Sequence, residues 1–64
     1  MTFEQLKMYD NFVIEEEPDS IFYKSEDCYD KSINAYKIKN KQKQDIYCIL
    51  EPVIFPKDYK VFQI

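Results

Sequence analysis

The chain contains no glycine, no histidine and no arginine, and all nine of its basic residues are lysine. Each absence removes a class of function. Without glycine there is no phosphate-cradling loop of the P-loop or dinucleotide-binding kind, because both need backbone at positive φ that approaches the ligand closely. Without histidine the chain lacks the side chain best suited to proton transfer near neutral pH and the commonest zinc ligand. Without arginine there is no planar fork for bidentate recognition of phosphate, carboxylate or a guanine edge. No stretch is long and apolar enough to span a bilayer. The N-terminal residues show no positive segment followed by an apolar one, so the sequence predicts a non-secreted, cytoplasmic protein.

What is present is apolar and aromatic. Five Phe, six Tyr and eight Ile stand among 64 residues, enough to build one small core without metal or disulfide staples. A chain of this length forms one domain at most, since about 60 residues bury only about 60% of the surface the unfolded chain exposes. A single domain over residues 1–64 is expected. Phe, Tyr, Met, Ile, Asn and Lys fill 33 positions, whereas Gly, Ala, Arg and Pro fill four. That bias follows codons rich in A and T. It points to an AT-rich genome: a low-GC bacterium, its phage or plasmid, or an AT-rich virus.

The local patterns predict an α+β fold: a small antiparallel sheet of three to five strands with one or two short helices on one face. Thr2 and Gln5 have capping-box spacing, and Phe3, Leu6 and Tyr9 suggest a helix over residues 2–9. Residues 11–17 read as a strand, Pro18-Asp19-Ser20 as a turn, and residues 21–23 as the returning strand. Ser25 is a candidate N-cap, and Tyr29, Ile33 and Tyr36 recur at helical spacing, predicting a second helix over about residues 26–34. Period-two alternation begins at Tyr36 and gives a strand there. Residues 40–44 suit a loose loop. Residues 46–51 are apolar on both faces, as in a central strand. Pro52 and Pro56 bracket an irregular edge piece, and residues 59–64 read as a last strand.

Charge divides the sequence. Residues 1–32 hold nine acids against three lysines, and residues 33–64 hold three acids against six lysines. Glu15, Glu16, Glu17, Asp19, Glu26, Asp27 and Asp30, with Tyr23 and Tyr29 among them, form a candidate surface for a basic groove on a larger protein, with electrostatic steering of the encounter. The competing account is a solvated face whose acids complement a helix start. A second candidate is the row Lys37, Lys39, Lys41 and Lys43 beside Tyr36 and Tyr47, which in extended chain could follow a phosphate backbone. Its competing account is a lysine-protected edge. Ser20, Ser25, Ser32, Cys28 and Cys48 lack the usual base to activate them, so no catalytic residue, cofactor or metal is expected. Cys28 and Cys48 are expected as reduced thiols.

These features favour a small inhibitor or adaptor that binds a larger protein through its acidic surface. Size and composition fit a phage or viral inhibitor of a host enzyme, such as a defence nuclease, acting in the host cytoplasm to evade host defence. The alternatives are a nucleic-acid-binding module using the lysine row, or a self-assembling subunit that forms a homodimer by sheet extension at residues 57–64.

Overall fold

The computed structural model describes residues 1–38 and 50–64. Five strands make one antiparallel sheet: β1 (Asn11–Ile14), β2 (Glu17–Lys24), β3 (Ala35–Ile38), β4 (Leu50–Val53) and β5 (Phe62–Gln63). Their spatial order is β4-β3-β2-β1-β5. β1 to β4 therefore form a meander, and the chain end returns to the far side of β1.

Strand alternation sorts the side chains onto two faces. Phe12 lies opposite Phe22, Lys24 opposite Ala35, and Ala35 opposite Val53, so these residues share one face. That face is the core. Phe12, Phe22, Ala35 and Val61 are sealed from solvent, and Phe3, Leu6 and Phe55 cover them from outside the sheet. Phe3, Phe12, Phe22 and Phe55 pack with ring centroids 5.4 to 5.7 Å apart, in both stacked and edge-to-face pairs. Such ring pairs add about 0.5–1.5 kcal/mol each beyond the area they bury.

Two polar clamps hold the covering segments. The Lys24 ammonium donates to the carbonyls of Leu6 at 2.7 Å and Phe3 at 3.3 Å, and sits 5.0 Å over the Phe3 ring. The Asn34 amide donates to Phe55 O at 2.8 Å, and its oxygen accepts from Phe55 N–H at 2.9 Å. Asn34 thus continues β-type pairing past Pro52 and swings Phe55 onto the core.

The expected α+β fold is corrected to a mostly β one, since the described residues contain no α-helix and only a 3₁₀ turn, Phe3–Gln5. Gln5 Oε1 does accept the Thr2 N–H at 2.9 Å, as the capping-box spacing anticipates. However, Leu6 is already extended (φ −71°, ψ 144°), because pairing along the sheet outcompetes a helix too short to hold itself. Phe3 N–H donates to Tyr59 O at 2.8 Å and Val61 N–H to Met1 O at 2.9 Å, which lays the N-terminus along the final segment.

The helix expected over residues 26–34 is a loop. Asp27 Oδ1 takes the backbone N–H groups of Tyr29 (2.7 Å) and Asp30 (2.9 Å), and Asp30 Oδ1 takes that of Ser32 (3.0 Å). These side chains offer the backbone a local alternative to helical bonding, which is why Asp favours caps and turns.

The expected turn at Pro18-Asp19-Ser20 lies inside β2, and the chain reverses at Glu15–Glu16 instead. Phe12 opposes Phe22 while Ile14 opposes Glu17, so five residue steps of β2 run against two of β1. Pro18 falls within this bulge, where a missing N–H is tolerated. Of the strand expected over residues 46–51, residues 46–49 lie outside the described residues. Leu50 and Glu51 belong to β4, at one side of the sheet rather than its middle.

Candidate functional site

The second face of the sheet is largely apolar as well, with Asn11 opposite Tyr23 its polar member in β1. Tyr23 opposes Tyr36, which opposes Pro52; Ile21 opposes Ile38, which opposes Leu50; Val13 opposes Phe62. None of these residues belongs to the buried cluster. Ile21, Leu50 and Phe62 keep 38%, 42% and 42% of their surface in solvent, while Val13, Tyr23, Tyr36 and Ile38 are half-buried. At the centre Tyr23 and Tyr36 stack with ring centroids 5.7 Å apart and planes 26° from parallel.

The charged side chains of β2 and β3 that hold partners turn the other way. Lys24 reaches under the N-terminal segment, and Lys37, opposite Phe22, donates to Glu17 Oε1 at 2.7 Å. The Glu17 carboxylate raises the Lys37 pKa.

The β2–β3 loop adjoins the tyrosine pair. Tyr36 Oη donates to Asp27 Oδ2 at 2.5 Å. This bond lowers the Asp27 pKa, with help from the Asp30 and Tyr29 N–H groups, and pushes Tyr36 up to about 12. Asp30 is lowered in turn by the Ser32 hydroxyl and N–H. Tyr29 projects from the loop with 95% of its surface exposed. Beside it Met8, Tyr9, Glu26, Asp27, Cys28 and Lys31 line a shallow hollow of about 230 Å³. That is below the ~300–1,000 Å³ of drug-sized ligand sites.

The acidic residues expected to form one surface fall into two groups. Glu15, Glu16 and Glu17 lie at the start of β2, whereas Glu26, Asp27 and Asp30 follow its end. The eight residues of β2 hold the groups about 23 Å apart at ~3.3 Å per residue, more than two Debye lengths at physiological salt (~8 Å). Each group meets a partner on its own. Glu16 accepts the Tyr59 hydroxyl at 2.6 Å, which lowers the Glu16 pKa and raises that of Tyr59. Asp27 and Asp30 are occupied in shaping their loop. The carboxylates of Glu15, Asp19 and Glu26 make no hydrogen bond or salt bridge among the described residues.

Tyr23 and Tyr36, assigned by sequence to different candidate surfaces, are neighbours. Of the lysine row only Lys37 is described, and it is paired with Glu17; Lys39, Lys41, Lys43 and Tyr47 lie outside the described residues, as does Cys48. Cys28 is an exposed thiol in the loop. No group of three or more metal-binding side chains occurs among the described residues, and no helix there is long and apolar enough to cross a membrane.

Sequence reasoning missed Val13, Ile21, Ile38, Leu50, Pro52 and Phe62 as a surface. The signal was available: Phe12-Val13-Ile14, Ile21-Phe22-Tyr23 and Ala35-Tyr36-Lys37-Ile38 place apolar residues at both parities of a period-two pattern. Comparison with known proteins finds no family model, no curated protein and no solved structure that matches the chain.

Proposed function

We propose that the chain is a small protein-binding inhibitor or adaptor that engages a larger protein through the sheet face that the described residues leave outside the core, here called the open face, and the adjoining acidic loop. The observation that carries this is the stacked Tyr23–Tyr36 pair at the centre of an apolar face left outside the core. Contiguous apolar surface of this kind marks interaction sites, and tyrosine is enriched where binding energy concentrates. The Glu26–Asp30 loop adds negative charge at one end of that face, and Tyr29 adds an exposed aromatic. Small size and AT-rich coding extend the proposal to a phage or viral inhibitor of a host enzyme.

The test is capture of a partner from lysate of a low-GC bacterium by tagged protein, compared with two variants. Ile21→Asp alters the open face at a position already partly solvated. Glu15→Gln, Glu16→Gln and Glu17→Gln together neutralise the distant acidic turn. A stoichiometric partner retained by the triple variant and lost with Ile21→Asp supports the face; a partner insensitive to Ile21→Asp overturns it.

A further inference from the structure

Resting on the open face as a docking surface, we infer that its occupant is an amphipathic helix with lysine or arginine at the end that meets the Glu26–Asp30 loop. Three recurring modes of peptide recognition reuse secondary structure: strand addition at a sheet edge, a helix laid on an apolar surface, and a polyproline segment in an aromatic groove. Strand addition finds little edge among the described residues. Residues 59–61 are paired by Met1 to Phe3, which leaves the two residues of β5 as edge on that side, and β4 carries Pro52, which has no N–H to offer.

The spacing of the face suits a helix. Rows Tyr23–Tyr36–Pro52 and Ile21–Ile38–Leu50 are two residues apart along the strands, about 6.7 Å. Helical positions i and i+4 are about 6 Å apart along the axis. A helix lying along β2 and β3 therefore sets two successive apolar side chains on the two rows. Those strands and β4 stand about 4.8 Å apart, so together they offer a width of about 10 Å, close to a helix diameter of ~10–12 Å.

Charge selects the sign of the flanks. The lysines of β2 and β3 point to the core side and are bonded there. The end of the face at Tyr23 and Tyr36 is bounded by Glu26, Asp27 and Asp30, with Lys31 the one cation among them. One turn beyond the second apolar contact, at i+8, a cationic side chain reaches this loop. A second copy of the chain fits poorly, because strands of about four residues in a five-strand sheet give a face near 300 Å² (~13 by ~24 Å), against ~800 Å² per partner in standard interfaces.

The experiment titrates full-length protein with two 16-residue peptides that share one leucine stripe, one with lysine and one with glutamate at the flanking positions. Fluorescence anisotropy gives affinity, and backbone amide NMR shifts at Ile21, Tyr23, Tyr36 and Ile38 locate the contact. The expected result is that the lysine peptide moves these amides and binds at least tenfold more tightly than the glutamate peptide. Its affinity falls at high salt, and Ile21→Ser weakens it at least fivefold with an unchanged circular dichroism spectrum. Equal affinity for both peptides located on these amides overturns the cationic helix and leaves the docking face standing. If neither peptide moves them, the helix and the face as a docking surface both fall. Shifts that depend on protein concentration without peptide would instead make a second copy the occupant.

Discussion

The two faces of the sheet are built from the same strands and are both largely apolar, yet only one is a core. On the first, Phe12 and Phe22 are sealed by Phe3 and Phe55, each held over the sheet by a polar clamp, Lys24 or Asn34. On the second, Tyr23 and Tyr36 stack, the Tyr36 hydroxyl bonds Asp27 of the acidic loop, and both rings stay outside the buried cluster. The difference teaches that a covering segment, more than the apolar character of a strand face, decides what becomes interior. A two-layer domain needs one covered face. The exposed part of the second apolar face, at Ile21, Leu50 and Phe62, carries a desolvation gain that folding has not used, and association can.

The largest effect separates the two faces by stability. Phe12→Ala removes a fully sealed ring and is expected to cost about 3–5 kcal/mol. A 64-residue domain at roughly 0.05–0.15 kcal/mol per residue has a total stability of about 3–10 kcal/mol, so this variant is expected to lose from about a third to all of it. Ile21→Ser, one residue from Phe22 on the other face, is expected to cost less than about 1 kcal/mol, since Ile21 is already more than a third exposed. Urea unfolding followed by circular dichroism measures both. Equal losses would break the distinction between a covered and an open face.

A smaller effect is read from pH. Glu16, Asp27 and Asp30 have folded pKa values below their ordinary ones, held there chiefly by the Tyr59, Tyr36 and Ser32 hydroxyls. Carboxylates depressed in this way contribute stability that is present above their unfolded values, near 4, and is lost as pH falls through the folded values. Tyr36 has the opposite sign. Raised to about 12, its neutral phenol contributes stability that is whole below 10 and is lost as pH rises through the folded value. The urea midpoint should therefore decline below about pH 4 and again above about pH 10. Tyr36→Phe should flatten part of both limbs through Asp27, and Tyr59→Phe should do the same through Glu16, because the Tyr59 pKa is raised as well. A Tyr36→Phe variant with unchanged limbs would sever the link between the tyrosine pair and its loop.

How much of this was legible in the sequence depends on which interaction decided each element. Phe3 and Leu6 were identifiable as core, because an apolar pair must dock wherever its backbone goes. The helices they and Tyr29 suggested were not formed, because spacing cannot show that Asp27 and Asp30 will capture nearby N–H groups, or that residues 1–3 will pair with residues 59–61. The acidic residues were legible as a composition and not as a surface. Their division across the length of β2 follows from the bulge that draws Pro18 into the strand, a tertiary outcome. The open face was written in the double parity of residues 12–14, 21–23 and 35–38; locating the cover on one side required Asn34 and Phe55.

The smallest effect concerns how the chain enters the covered face. Tyr9 has φ of 70°, a left-handed conformation in a chain that contains no glycine. Tyr9 N–H donates to Lys24 O at 2.7 Å and Lys24 N–H donates to Asp10 O at 3.0 Å, so Tyr9 and Asp10 together oppose Lys24. This is the bonding of a bulge whose first residue is usually glycine in the left-handed region. The Cβ of a non-glycine residue there costs about 1–2 kcal/mol, and glycine gives back part of that relief through the greater entropy of its unfolded chain. Tyr9 is 72% exposed, so little packing is lost with its ring. Tyr9→Gly is therefore expected to raise stability by about 0.5–1 kcal/mol, and Tyr9→Ala, which keeps the Cβ, to give no such gain. If both variants are destabilised alike, the Tyr9 ring itself supports the entry into β1, and the contrast between a sealed and an open side would have to include this turn among the covers of the core.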